Sequence, residues 1–564
     1  MIPETQYAVQ LVGPSKLKLN RAKPVTPPGP TQVLARIEAV GLCFSDLKLL
    51  KQFADHARKG RILTGISPQI LSEIPSYVPG DAPTVPGHEA VCRIVAVGDK
   101  VKRYKVGERC LVETDYRTLR TAASNASFGY NFEGALQEYV LMDERIIIDP
   151  ITGQRFLIPV PEELGASAVA LVEPWACVED SYVSAHRREI MAGGKPHGPP
   201  GGLLIVAEAG HEVAGLAESF SRDGRPDVAT VLCAEDSQCE TIKALGLEAK
   251  EASDVSALAD ESFDDVVYFG ADAAMAEALN GKLAAKGIFN IVTGGKTFTR
   301  AVSIDVGRVH YGLTRLAGTT GRSAADGYRH IPASGRIRPG ERIAIIGAAG
   351  PMGQMHVIRD ICTGLEGVSV VATDLDEDRL EVLRAKAMPL AEANGVDLQL
   401  VDPREVPLDE KFSYVALMVP VGELVAEAVA RSADGCVINI FAGIPAGKRA
   451  LLDLNTYLAN HCWMLGTSGS VISDMKIVLE KVSRGQLDTN CSVVAVSGMA
   501  GAVDGIAAVE NRTLPGKTVV YPELHDLGLI PLAELHEHYP TVADKLASGM
   551  WTRDAEKELL AVAR

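Results

Sequence analysis

The sequence predicts an α/β protein: a mostly β first domain followed by two tandem units, each a doubly wound parallel sheet. Three observations lead there. From residue 6 to about residue 160 the chain runs in short alternating apolar segments broken by Gly and Pro. Beyond residue 200, strand-like runs alternate with helical ones, the pattern of βαβ units. That alternation then occurs a second time in the same order, which marks an internal repeat.

The elements follow in chain order. "QVLARIEAVGLC", "EAVCRIVAVGDKV" and "VGERCLVE" read as strands of the first domain, and "ELGASAVALVEPWACVEDSYVSAHRR" reads as helix. A Gly/Pro hinge, "GGKPHGPPGG" from Gly193 to Gly202, ends that domain, which is expected over residues 1–195. The first α/β unit, residues 200–335, carries the strands "GLLIVAE", "ATVLCAE", "DDVVYFG" and "GIFNIVTGG". The second, residues 337–488, repeats them as "ERIAIIG", "VSVVATD", "YVALMVP" and "CVINIFAG". Residues 489–523 are expected to return to the first domain, and 524–564 to form a helical tail that serves as a cap or an oligomer contact.

Aligned, "FDDVVYFGADAAMAEALNGKLAAKGIFNIVTGG" matches "FSYVALMVPVGELVAEAVARSADGCVINIFAGI", and "GTTG" at Gly318 matches "GTSG" at Gly466. In the second copy, Gly347, Gly350 and Gly353 follow a strand and open a helix, with Pro351 and Met352 between the last two. Such a turn suits a dinucleotide: the first glycine turns tightly, the next lets backbone approach a pyrophosphate, and the last lets the helix pack closely. Asp374, at the end of the next strand, is placed to accept hydrogen bonds from a ribose diol and to repel a 2′-phosphate. Both α/β units are therefore Rossmann-like, and the second is expected to bind NAD(H) in preference to NADP(H).

The first copy has Ala207, Gly210 and Val213 at the glycine positions, with Glu208 and Glu212 near its expected helix start. Carboxylates there repel a diphosphate; they also suit helix N-terminal capping, and both can be true together. The first unit is expected to have lost dinucleotide binding.

Composition narrows the partners. A net charge of −16, spread without a basic stripe, argues against nucleic acid and anionic membranes and favours a small-molecule substrate. The start "MIPETQYAVQ" has no charged segment leading into an apolar one, and no apolar run approaches membrane-spanning length, so a cytoplasmic protein is expected. The ten cysteines are scattered without CxxC pairs, which suggests neither a disulfide framework nor a cysteine-only zinc knuckle.

Two further motifs carry chemistry: "GLCFSDLK" and, downstream, "VPGHEAVCRIVAVGDKVKRYKVGERC". With them the sequence resembles the zinc-dependent medium-chain dehydrogenases, the alcohol and sorbitol dehydrogenases, whose catalytic domain is GroES-like. Through "FGYNFEGALQEYV", "LVEPWACV", "GAAGPMG", "INIFAG" and "MLGTSGS" it is most similar to the sorbose-1-phosphate reductase subgroup. The resemblance covers roughly residues 1–195 and 337–523 and leaves the first Rossmann copy as an addition.

Cys43 as thiolate and His88 as neutral imidazole suit zinc, and a catalytic site needs one more protein ligand beside an open position. Glu89, in the GHE motif, and Glu173, in "VEPW", both remain candidates for it, with exchange on and off the metal implied by the resemblance. The resemblance also implies that Asp46 orients His88 and that Ser45 relays a proton away from the alcohol. The four-cysteine lobe of many relatives is missing from "LVETDYRTLRTAASNASFGYNFEG", so one catalytic Zn2+ and no structural zinc are expected.

The implied activity is hydride transfer between NAD(H) and a secondary alcohol or ketone of a polyol, sugar or sugar phosphate. Two other classes stay open: an epimerase or lyase that oxidises transiently and keeps its NAD, and a nucleotide-sensing module without chemistry. Arg117 and Arg120 are candidates for a phosphate site or simply a solvated loop surface. The stretch between Cys43 and His88, "KQFADHARKGRILTGISPQILSEIPSYVPGDAPT", is a lid, a specificity wall or a surface insertion. For the first Rossmann copy an intramolecular pseudo-dimer surface is favoured, against an effector site or a contact to another subunit of a homo-oligomer.

Overall fold

The computed structural model describes residues 2–184, 202–220, 226–467 and 469–564. The expected hinge lies, except for Gly202, outside these residues. Two compact units emerge, Met1–Glu179 with Ser470–Arg564, and Asp180–Gly469. They divide nearer the N-terminus than the expected boundaries at 195 and 488.

The first unit is built on an eight-stranded sheet. Strands Gln32–Gly41 and Glu89–Val97 pair antiparallel at its centre, with Arg109–Val112 and Leu157–Pro159 beyond one side and Tyr139–Asp143 also paired to Gln32–Gly41. On the other side Lys517–Val520 pairs antiparallel with Gln32–Gly41, followed by Val493–Ser497 and the short strand Ile530–Pro531. The C-terminal segment thus completes the sheet that the N-terminal segment begins. The core beneath it includes Val33, Ile37, Ala90 and Cys92 from the two central strands, together with Phe128 and Leu136 from the segments between strands.

The tail is less helical than its apolar spacing predicts. It holds Ile530–Pro531 and three separate helices, Leu535–His538, Pro540–Ala543 and Arg553–Val562. Its last helix docks by a charged side chain as well as by Leu559: Glu556, almost fully buried, accepts hydrogen bonds from the backbone N–H groups of Ala166 (2.6 Å) and Ser167 (2.7 Å) and from the Tyr521 hydroxyl (3.0 Å). An acid at the opening turn of helix Ala166–Ala170 satisfies amides that have no partner within the helix.

The second unit contains both Rossmann copies. The first sheet runs, in spatial order, Glu248–Glu251, Val228–Cys233, Leu203–Ala207, Phe263–Phe269, Leu283–Val292, Arg315–Thr319. The second runs Asp397–Val401, Ser369–Thr373, Arg342–Ile346, Phe412–Leu417, Ser432–Ile440, Trp463–Leu465. Every neighbouring pair in both is parallel, and the order 3-2-1-4-5-6 is that of doubly wound nucleotide folds.

The copies are joined to each other. Val302–Asp305 of the first pairs antiparallel with Arg449–Leu452 of the second. The sixth strands lie alongside one another, Arg315 donating to the Gly466 carbonyl (3.1 Å) and the Tyr457 hydroxyl to the Leu316 carbonyl (2.9 Å). One apolar core serves both, with Phe289, Ile291 and Leu316 from one copy and Ile438, Leu458 and Met464 from the other.

One local expectation fails. No α-helix follows strand Leu203–Ala207; among the described residues that stretch has only the single 3-10 turn Ala217–Ser219. Gly210 and Gly215 both take left-handed backbone (φ +72° and +75°), which a continuous helix does not allow. Glu208 and Glu212 therefore do not stand at a helix start.

Candidate active site

The register of the first unit's sheet builds the site. Gly41 is paired with Glu89, so Cys43, which caps helix Phe44–Gln52, comes beside His88, the residue just before strand Glu89–Val97. A side chain at position 41 would meet the Glu89 carboxylate and push it from its place, so glycine here leaves the carboxylate where it stands.

Cys43 Sγ, His88 and a Glu89 carboxylate oxygen all lie within 4.8 Å of one another, a span that zinc bonds of about 2.0–2.3 Å can bridge. Glu89 is fully buried. One of its oxygens pairs with the buried Lys517 ammonium; the other has no hydrogen-bond partner among the described residues. A buried oxygen without a partner is costly in an apolar interior and natural beside a cation.

The flanking residues fix the geometry. Asp46 Oδ1 lies 3.1 Å from His88 Nδ1, and Asp46 Oδ2 accepts from the Cys43 backbone N–H at 3.2 Å. A proton held on Nδ1 leaves the other ring nitrogen as the donor atom for a metal. Ser45 Oγ lies 3.0 Å from Cys43 Sγ and 3.1 Å from His88 Nε2, in the middle of the group. Burial works against a charged imidazole, but Asp46 overcomes it and raises His88 well above its ordinary range, so a metal would have to compete with a proton for the ring.

Glu173 lies apart from the compact trio. It sits on helix Val172–Val183, nearly buried, with its Oε1 3.9 Å from Cys177 Sγ, itself 3.8 Å from Ser470 Oγ. Burial raises its carboxyl, with Glu89 adding to the effect and His88 opposing it.

Two contributors escaped the sequence reading. Lys517 is far from Glu89 in the chain, and it arrives because Val519 pairs with Gly41; its ammonium also donates to the Leu42 carbonyl at 3.2 Å. Tyr130, inside "FGYNFEG", is buried within hydrogen-bond reach of Ser45 with its ring 5.8 Å from that of His88. Of the two arginines singled out, Arg117 reaches the Ser470 carbonyl and Asp115, whereas Arg120 is exposed.

In the second unit the glycines form a tight turn between strand Arg342–Ile346 and helix Pro351–Ile361. Gly347 has φ +81°, and a Cβ at Gly353 would lie 2.5 Å from the Gly347 carbonyl oxygen. Gly350 caps helix Pro351–Ile361 with no side-chain hydrogen bond, and Pro351 and Met352 form its first turn. Asp374 closes the next strand, accepting from the backbone N–H groups of Ala349 (2.9 Å) and Leu375 (2.8 Å).

The first copy closes the same place. The Gly210 N–H is held by Glu235 at 2.8 Å, and Glu208 takes the Tyr268 hydroxyl and the Asp272 N–H (3.1 Å).

Residues 29–151 match the alcohol dehydrogenase GroES-like domain. Among curated proteins the chain is similar to mannitol-1-phosphate 5-dehydrogenase of Aliivibrio fischeri (29% identity over 249 residues, 40% of this chain and 57% of that protein). It is also similar to D-xylulose reductase of Morganella morganii (27% identity over 235 residues, 41% of this chain and 60% of that protein). The chain thus spans less than two thirds of the length of these relatives. Among solved structures, 2R,3R-butanediol dehydrogenase from Bacillus subtilis shares the fold, with a TM-score of 0.51 at 14% identity, covering 92% of this chain and 100% of that one. Residues 29–151 are thus an alcohol dehydrogenase GroES-like domain, in a chain similar to polyol and alcohol dehydrogenases of the medium-chain type.

Proposed function

We propose that this protein is a zinc-dependent oxidoreductase that moves a hydride between NAD(H) and a secondary alcohol or ketone of a polyol, sugar or sugar phosphate. The observation that carries the reading is the buried group of Cys43, His88 and Glu89 with Ser45 at its centre. A thiolate, an imidazole and a carboxylate oxygen without a partner fit a catalytic zinc, with Glu173 as the alternative carboxylate. Bound there, zinc would lower the pKa of a substrate alcohol. NAD, held at Gly347, Gly350, Pro351, Met352, Gly353 and Asp374, would supply the hydride acceptor.

The chain's own residues do the rest. Ser45 Oγ, 3.0 Å from Cys43 Sγ and 3.1 Å from His88 Nε2, would take the alcohol proton and pass it outward. Asp46 holds the His88 ring in one tautomer and orientation, and Lys517 gives the buried Glu89 carboxylate a counter-charge. Asp374, its carboxylate oriented by backbone amides, selects for a ribose diol and against a 2′-phosphate. One zinc per chain is proposed, with none in a structural role.

We assign the first Rossmann copy the part of a built-in partner surface for the second. The antiparallel pairing of Val302–Asp305 with Arg449–Leu452 and the shared core support that part.

The test is a screen of polyols, sugars and their phosphates for NADH release, with metal content measured on wild type and Cys43→Ser. The expected result is NADH formation by a zinc-loaded wild type and loss of both metal and activity in the variant. Substrate turnover without free NADH, or a protein that never takes up zinc, refutes the reading.

A further inference from the structure

The insertion between Cys43 and His88 is not used by the reaction as described so far. Its short helical turn Ala57–Lys59 carries Arg58 back over the site: the guanidinium carbon lies 5.4 Å from the centre of the Tyr130 ring, the ring that packs beside His88 and within reach of Ser45. Arg58 is held in place by Asp115 through two contacts of 3.0 and 3.1 Å. Asp115 also accepts from Ser127 Oγ (2.9 Å) and sits 3.6 Å from Arg117, whose guanidinium donates to the Ser470 carbonyl. Ser470 in turn lies against Cys177, the neighbour of Glu173. Two arginines and one shared aspartate therefore line the surroundings of the candidate metal group.

The charges do not cancel. Asp115 is one carboxylate against two guanidiniums. The next carboxyl, Glu113, is buried and pushed up to about 8, so it is neutral at pH 7 and contributes no negative charge. Glu173, the alternative carboxylate for the metal, is within electrostatic reach of Arg58 but makes no contact with either guanidinium among the described residues. Among the described residues Asp115 is the one carboxylate paired with both guanidiniums, and the side chains of Arg58 and Arg117 are 28% and 45% exposed. Arg58 Nε and the Nε and second terminal nitrogen of Arg117 make no hydrogen bond among the described residues. A fixed guanidinium fork with donors to spare is the group best suited to read an oxyanion.

We infer that Arg58 and Arg117 form a wall that recognises an anionic substituent, a phosphate or a carboxylate, on the polyol whose alcohol is oxidised. The inference rests on the proposed dehydrogenase reading for what the other end of the substrate does, and on the arginine geometry alone for the anion. The insertion is then a specificity element, and the preference for charged substrates is expressed in binding.

The experiment uses the full zinc-loaded chain and three probes, mannitol 1-phosphate, gluconate and mannitol, each measured by calorimetric titration and by NADH formation. Expected is binding of at least one charged probe about tenfold or more tighter than mannitol, with Arg58→Gln and Arg117→Gln each cutting that preference about tenfold, mainly in Kd and KM rather than kcat. Arg58→Lys should restore part of it, since charge without the planar fork is a weaker reader. Because Arg58→Gln leaves Asp115 buried with fewer partners, the half-exposed Arg117→Gln is the variant that tests the idea if the first does not fold. Which charged probe wins tells phosphate from carboxylate. Equal affinity for all three probes, or a preference that survives both substitutions, overturns the inference. An anion preference in calorimetry without NADH from any probe upholds it and overturns the dehydrogenase reading instead.

Discussion

Glu113→Gln should make the protein more stable in alkaline solution and leave it unchanged in acid. Glu113 follows strand Arg109–Val112, is 2% exposed, and has one oxygen bonded to the Asp115 N–H (3.2 Å) and the other without a partner among the described residues. Burial first, then the charge of Asp115, pushes its carboxyl from the ordinary 4.5 up to about 8. In the folded protein the proton is therefore kept until about pH 8, whereas the unfolded chain releases it near 4.5. The unfolded state thus binds fewer protons across that window, and stability falls as pH rises through it by about 1.4 kcal/mol per pH unit. The whole window costs about 4–5 kcal/mol. Glutamine keeps the shape and the acceptor and carries no proton to lose. The melting temperatures of variant and wild type should coincide near pH 4.5 and separate steadily to about 8–10 °C by pH 8.5, at about 2 °C per kcal/mol for a domain of this size. The assay is a pair of calorimetric melts at matched ionic strength over that range. A gap that is flat with pH, or that opens toward acid, would show that Glu113 is ionised in the folded state and refute the argument.

Three other outcomes are expected. Lys517→Met strands the buried Glu89 carboxylate and should cost about 3–5 kcal/mol in metal-free protein, read as a lower melting temperature that added zinc partly recovers; an unchanged melt counts against the pair. Asp374→Asn should lower the ratio of kcat/KM for NAD over NADP about tenfold, and no change in that ratio removes Asp374 from cofactor choice. Gly353→Ala brings a methyl to 2.5 Å from the Gly347 carbonyl and should weaken NADH binding about tenfold or more in a fluorescence titration, whereas wild-type affinity would show that the turn yields.

The parts legible in the sequence were those whose signal is local. The two sheets could be read because each parallel strand is a short apolar run in a fixed order, and the repeat doubles that signal. Cys43, Ser45, Asp46, His88 and Glu89 could be read because they lie in two short motifs that one strand pair brings together. Lys517, Tyr130 and Arg58 could not, since each becomes part of the site through a partner far away in sequence. A lysine at the start of a strand or an arginine in an insertion carries no mark of the carboxylate it will meet. The missing helix after Leu203–Ala207 has another cause. Val213 and Leu216 keep a helix-like spacing, but they are buried around two glycine turns and a Glu235 carboxylate, which satisfy the backbone without one. The tail misled similarly: apolar spacing foretold packing, which Trp551 and Leu559 provide, but not its division into separate short helices.

The antiparallel strand pair between the two copies, and the sixth strands lying side by side, have a consequence for how the protein behaves on dilution. A sheet ending in an open edge offers unpaired backbone to any chain of matching sequence, and its contact with a separate subunit weakens as concentration drops. Here the matching edge is encoded in the same polypeptide, so its local concentration is set by the length of the connecting chain and not by expression level. With the first copy in its proposed part as a partner surface, the joined edges belong to one molecule, and their contact does not weaken as the protein is diluted.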